Sequence, residues 1–332
     1  MDIRPIRIER TPAPAKPETA NPIARPAIAD HGRYVSITLE FRCNLRCEHC
    51  MIEGTMDWLE PRSTAEFDEL LDYNRSHAKW SGLILTGSEI TLRKDLPELV
   101  ARARQAGFRD VRIQTHGMAL ARPDYCERLV EAGVNEFFVS VPGCDAATHD
   151  AITQVPGSFE RTMRGLRNLE AFEHVTSVTN SVVTARNYRI LPEIVAALRP
   201  LRRLKQMEFW FFWPMRESDD KDLIVSHREA LPWLRRAIEA ARADGRAVEL
   251  KNVPQCLLGE DSALLVNDQP LLVIDPRFWD EFERNGFHRC VHREHCKSEQ
   301  CLGLNAAYTA KFGWEADILR PLDASGRPLQ PG

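Results

Sequence analysis

Glu40-Phe-Arg-Cys-Asn-Leu-Arg-Cys-Glu-His-Cys50 is the stretch on which the reading of this chain turns. It sets three thiols, Cys43, Cys47 and Cys50, on one short loop, with three residues and then two between them. Three thiolates ligate three irons of a four-iron cube and leave the fourth iron open to a substrate or cofactor. A disulfide would leave one thiol over. The N-terminus, Met1-Asp-Ile-Arg-Pro-Ile-Arg-Ile8, has neither the apolar core nor the cleavage site of a secretory signal. Zinc held by the three thiolates and His49 is the competing reading, but structural zinc ligands usually come as two separated pairs.

Outward from the loop, the sequence alternates between two periodicities. Strand-like runs occur at Tyr34–Leu39, Gly82–Thr86, Val111–Thr115, Glu136–Val141, Val175–Val183 and Met207–Trp213. Helical patterns lie between them. Ser63 and Glu66 form a capping box ahead of Phe67, Leu70 and Leu71. The stripe Leu96, Leu99, Val100 and Ala103 is closed by Gly107, and Cys126, Leu129 and Val130 end at Gly133. Further stripes follow at Phe159, Met163 and Leu166, at Leu191, Ile194, Val195 and Leu198, and at Leu234 and Ile238.

Six strands alternating with six helices imply a parallel sheet with helices outside it. Six units are too few for a closed eight-fold barrel, so the expected fold is α/β, an open (β/α)6 partial TIM barrel. Chemistry in such folds collects at the C-terminal ends of the strands, and the cysteine loop follows the first one. From about residue 246 the alternation gives way to loop-rich sequence with clustered cysteines. The expected division is a flexible, Pro-rich N-terminal arm over 1–32, the (β/α)6 core over 33–245, and a small C-terminal Fe–S domain over 246–332.

Composition narrows the class. With 332 residues, 43% hydrophobic and 28% charged, the chain has the make-up of a soluble globular protein, without an apolar run long enough to span a membrane. A net charge of −4 argues against a broad nucleic-acid-binding surface. Nine cysteines without a secretory signal point to the reducing cytoplasm and to metal ligation. Cys126, on a buried helical stripe, reads as inert packing, and Cys144, at a strand end, as a structural thiol with a substrate-facing role as the alternative.

The C-x3-C-x2-C loop resembles that of the radical S-adenosylmethionine (radical SAM) superfamily. The resemblance implies that the open iron of a [4Fe-4S] cluster chelates S-adenosylmethionine. An electron passed into the sulfonium then releases a 5′-deoxyadenosyl radical, which abstracts hydrogen from a substrate. It also implies cofactor contacts at the strand ends. Leu85-Thr-Gly-Ser-Glu-Ile-Thr91 stands where the family commonly has Gly-Gly-Glu-Pro. There Gly87 would allow close backbone approach, Ser88 would offer backbone groups, and Glu89 would accept from the ligand ammonium. His49 takes the place of an aromatic residue against the adenine, and Arg42 and Arg46 read either as offsetting cluster charge or as solvent-facing arginines. Thr115, Ser140 and Asn180 match polar positions facing ribose and carboxylate. Trp213 and Met215, at the end of the aromatic strand Phe209-Trp-Phe-Phe-Trp-Pro-Met215, would reach the adenine or substrate edge, while the other aromatics of that run pack as core.

A second group, Cys290, Cys296 and Cys301, lies in His288-Arg-Cys-Val-His-Arg-Glu-His-Cys-Lys-Ser-Glu-Gln-Cys-Leu-Gly303, and Cys256 is a candidate to be brought beside it by the fold. Four thiolates would ligate a second [4Fe-4S] cluster fully, and three would leave an iron open. The tail resembles the auxiliary-cluster extensions termed SPASM or twitch, though its spacing departs from the usual C-x2-C-x5-C. Zinc with His292 and His295 is the alternative. The family implies a reductant protein such as flavodoxin or ferredoxin. The expected function is therefore a cytoplasmic radical SAM enzyme, an oxidoreductase or carbon-skeleton-modifying one, acting on a small-molecule metabolite. A maturase of a ribosomally made peptide is the alternative, and a non-catalytic Fe–S or zinc-binding interaction protein is the rival from another class.

Overall fold

The computed structural model describes residues 31–329 apart from positions 53 and 55. Eight parallel strands make one sheet: β1 (Tyr34–Glu40), β2 (Gly82–Gly87), β3 (Asp110–Thr115), β4 (Glu136–Ser140), β5 (Thr176–Val183), β6 (Leu204–Phe211), β7 (Ala247–Lys251) and β8 (Leu271–Val273). Their order is β7-β6-β5-β4-β3-β2-β1-β8, so seven strands follow one another in chain order and the eighth joins the far edge of β1. The sheet is not closed, because β7 and β8 are its two ends. Helices α1 (Thr64–His77), α2 (Leu96–Gln105), α3 (Pro123–Ala132), α4 (Ala146–Thr153), α5 (Ser158–Leu169), α6 (Leu191–Leu198) and α7 (His227–Ala243) fill the crossovers. Two more, α8 (Arg277–Glu283) and α9 (Ala306–Phe312), follow β8.

The six strands read from the sequence all form, but the sheet has eight. Both added strands come from beyond residue 245, so the first part of the expected C-terminal segment completes the sheet. β7, Ala247-Val-Glu-Leu-Lys251, was passed over in the sequence although it alternates apolar with charged residues from Val248, the period of a strand with one solvated face. Here Glu249 and Lys251 are buried and paired at 2.8 Å. β8 is three residues long, too short to register as a period. All but the last two residues of the expected N-terminal arm lie outside the described residues.

Strand alternation sorts the sheet into two faces. Val35, Ile37, Leu39, Leu83, Leu85, Val111, Ile113, Phe137 and Val139 join the main core. The opposite face carries a small separate cluster of Tyr34, Ile84, Phe138 and Val178, with Trp210 against it. Polar groups surround that cluster: Glu136 takes the Tyr34 hydroxyl and the Arg112 guanidinium at 3.1 Å each. Ser63 caps α1, accepting from the Glu66 N–H while the Glu66 carboxylate accepts from the Ser63 N–H, the capping box expected from the sequence. Among the described residues no helix is long and apolar enough to cross a membrane.

Candidate functional site

β1 ends at Glu40 and delivers the cysteine loop to the C-terminal edge of the sheet. The loop has little regular structure of its own and is held from outside. Arg46 and Glu48 donate their N–H groups to the carbonyls of Thr153 and Ile152, the last turn of α4, at 3.0 and 2.9 Å. Glu48 is gripped twice more, its carboxylate by Arg186 at 3.1 Å and its carbonyl by the Lys221 ammonium at 3.0 Å. Cys43 is exposed, Cys47 and Cys50 are half-buried, and the Leu45 N–H points at the Cys43 sulfur at 3.4 Å. Arg42 turns back to chelate Glu40. Burial, with His149 and Lys221 nearby, pushes the His49 imidazole down to about 4, so the ring is neutral.

Gly87 is required by the neighbouring strand. A Cβ there would lie 1.8 Å from the Glu40 carbonyl oxygen, and the Ser88 N–H donates to that same oxygen at 2.8 Å. Close backbone packing therefore accounts for the glycine that the sequence reading assigned to ligand approach. Glu89 is fully buried, and protein donors engage both of its oxygens. Oε1 accepts from the Thr91 N–H at 3.0 Å, from the Thr91 hydroxyl and from the Thr115 hydroxyl at 2.7 Å. Oε2 accepts from the His116 N–H at 2.8 Å and lies 3.1 Å from His116 Nε2. His116 Nδ1 accepts from the Met118 N–H, which leaves the proton on Nε2, 2.7 Å from Asn44 Oδ1 on the cysteine loop. The carboxylate expected to meet a ligand ammonium thus organises Thr115, His116 and, through His116, the cysteine loop.

The remaining expected cofactor residues divide between two regions. Ser140 and Asn180 are register partners on β4 and β5. Thr115 is committed to Glu89 and to the Gly117 N–H. Met215 is buried among Met56, Leu59, Ile274 and Phe278, and Trp213 packs on Phe287 with ring centroids 4.1 Å apart, facing the C-terminal segment. Phe209 and Phe211 are core, as read, whereas Trp210 lies half-buried on the inner face, its indole N–H held by Glu208 at 2.8 Å. The sequence reading took Trp210 for core and gave no role to Asn44, His116 or the Glu208–Glu249–Lys251 group. Strand parity counted from the Phe209 core position is the signal that would have found Trp210.

Three of the expected cofactor residues carry buried polar atoms with no hydrogen-bond partner: His49 Nδ1, Ser88 Oγ and Asn180 Oδ1. Buried polar atoms are rarely left unmade, so these three fit a polar ligand at the strand ends.

Cys256, Cys290, Cys296 and Cys301 come together around one small cavity. Backbone N–H groups point at each sulfur: His292 to Cys290, Leu322 to Cys296 and Gly303 to Cys301, at 3.4 Å each, and Arg320 to Cys256. Burial, then the neighbouring thiols, push the Cys256 thiol up to about 12. His292 Nε2 lies 3.2 Å from the Leu319 carbonyl. Among the described residues, no three of His, Cys, Asp and Glu converge on the position of a single ion, and none of the nine cysteines is joined in a disulfide. Cys126 is fully buried in α3, and Cys144 packs against the core beside Thr148.

Known proteins resemble this chain in both sequence and fold. The family described as the Radical SAM superfamily matches residues 38–198. An AdoMet-dependent heme synthase of Nitratidesulfovibrio vulgaris is 31% identical over 195 residues, covering 58% of this chain and 52% of that protein. A probable GTP 3',8-cyclase of Methanopyrus kandleri is 33% identical over 184 residues, covering 54% and 57%. The chain spans about half the length of the curated relatives it matches. Among solved structures, native anSMEcpe with bound AdoMet aligns with a TM-score of 0.54 at 14% identity, over 65% of this chain and 63% of that one. Streptococcus suis SuiB bound to precursor peptide SuiA aligns at 0.54 and 13%, over 66% and 49%. At such identities the structural likeness speaks for the fold alone.

Proposed function

The chain carries a radical SAM domain over residues 38–198, and from that premise we propose that the protein reductively cleaves S-adenosylmethionine to a 5′-deoxyadenosyl radical that abstracts hydrogen from a small-molecule metabolite. The observation that carries this reading is the three-thiol loop at the strand ends, beside three buried polar atoms that lack a protein partner. Cys43, Cys47 and Cys50 would hold a [4Fe-4S] cluster, which when bound supplies a low-potential electron and one iron without a protein ligand. His49, Ser88 and Asn180 would bond the nucleotide, with Ser140 beside them, and Gly87 sets the strand end from which Ser88 projects. Glu89, with Thr115 and His116, orients the loop and keeps its own charge out of water. Trp213 and Met215 would stand between the nucleotide and the C-terminal segment against which they pack. Relatives that act on a tetrapyrrole or on GTP, by their names, favour a small molecule over a peptide.

We assign Cys256, Cys290, Cys296 and Cys301 to a second, fully ligated [4Fe-4S] centre of SPASM or twitch type. Four thiols round one cavity, each met by an N–H, supply the four thiolates that a fully ligated cube needs. Residues 33–245 would then serve the radical chemistry, and the segment from 246 would serve the second centre while lending two strands to the sheet. A reductant protein such as flavodoxin or ferredoxin would supply the electron, and a reducing cytoplasm suits so many thiols outside disulfides.

The test is anaerobic reconstitution with S-adenosylmethionine and a reductant. We expect 5′-deoxyadenosine from the wild type and none from Cys47→Ala. A fully loaded protein that releases none would overturn the reading, and zinc in place of iron at the second site would overturn that assignment.

A further inference from the structure

Between β7 and β8 the sheet is open, and residues 264–270 run across the gap. Leu265 bridges Leu250 in parallel, and the Val266 N–H donates to the Leu250 carbonyl at 3.0 Å. Five residues later the chain becomes β8 and pairs with β1. One stretch therefore touches both edges of the sheet.

Two sets of bonds fix it. From the barrel side, the buried Lys251 ammonium donates to the carbonyls of Val266 and of Asp268, the latter at 3.3 Å, while pairing with Glu249. From the other side, Asn267 is a three-way joint, only 6% exposed. Its Oδ1 accepts from the Asn252 N–H at 3.0 Å, which ties it to the end of β7. Its Nδ2 donates to the Gln300 carbonyl at 2.6 Å, and its N–H donates to Gln300 Oε1 at 2.9 Å. Gln300 Nε2 adds a bond to Asp268 Oδ2 at 3.3 Å. Gln300 directly precedes Cys301, whose sulfur lines the four-cysteine cavity and whose N–H is held by Ser298 at 3.1 Å.

We propose that Asn267 and Gln300 are positioning residues that make the side wall of the barrel continuous with the four-cysteine centre. The inference rests on the reading of those cysteines as a metal centre. One peptide unit separates Gln300 from Cys301, about 3.8 Å between Cα atoms, so fixing the thiolate fixes the amide beside it. Metal binding at such sites orders the chain that supplies the ligands. Here that order passes through two side chains to the segment closing the gap.

Hydrogen exchange of residues 264–270 in the anaerobically loaded protein tests this. A Cys290→Ala, Cys296→Ala variant, which keeps the first cysteine loop intact, should exchange there faster by on the order of tenfold or more. An Asn267→Ala, Gln300→Ala variant should exchange equally fast while retaining the full iron complement, and adding the cysteine changes to it should produce no further increase. Protection at 264–270 that survives either pair of changes would overturn the proposal. An elemental count finding no metal at the four cysteines would strike the reading beneath it, and the proposal with it, a result recognisable apart from any exchange rate.

Discussion

Glu89 shows how a side chain's task is set by neighbours far away in sequence. Its type and its place after β2 are legible in Leu85-Thr-Gly-Ser-Glu-Ile-Thr91, but its partners Thr115 and His116 come from the next strand end. Removing the carboxylate leaves the buried Thr115 hydroxyl and His116 N–H without acceptors. Glu89→Ala should therefore weaken S-adenosylmethionine binding by about 1–3 kcal/mol, with a thermal destabilisation of similar size. Equilibrium binding to the reconstituted protein and a melting curve check both, and unchanged binding would remove Glu89 from the site. The cysteine spacing, by contrast, was readable outright, because ligands on one short loop are near each other whatever the rest of the chain does. The orphaned atoms of His49, Ser88 and Asn180 were not, since burial is a property of the packed chain.

At the scale of elements, the six helices read from the sequence all form, while the short helices α4, α8 and α9 and the strand β7 were not read. The capping box at Ser63 is a short-range bond pattern, and Ser63→Ala should cost about 1 kcal/mol, seen as a lower denaturant midpoint without a change in slope. The apolar stripes of α2, α3 and α6 were likewise visible because their period is written in consecutive residues. The charges of β7 could be understood only once β6 lay beside it, where Glu249 registers with Glu208 and Lys251 with Trp210. Replacing one member of that buried pair strands the other. Lys251→Met should destabilise the protein by about 3–5 kcal/mol, measured by urea unfolding, and should loosen residues 266–268 to which its ammonium donates.

For the whole molecule, the inner face of the sheet holds more acid than its cations neutralise. Burial, then the Glu249 carboxylate, push Glu208 up to about 7, while at Glu249 burial is outweighed by His31 and Lys251 beside it, which hold that carboxyl below its usual value. The folded chain keeps a proton on Glu208 that the unfolded chain releases near 4.5. The stability this contributes is complete below about 4.5 and is lost as the pH rises to about 7. Melting temperature should fall across that window, and Glu208→Gln should flatten the fall. An unchanged profile in the variant would exclude Glu208 as its source. The sequence by itself determined the class of the sheet, the strand end from which the cysteine loop runs and the spacing of its three thiols, since each is written in local period and spacing. Only the tertiary structure decided that two further strands extend the sheet, that Gly87 answers to a neighbouring backbone, and that Cys256 closes on the three cysteines of 290–301. Those facts depend on which distant residues share a space, and the order of residues along the chain does not encode that one position at a time.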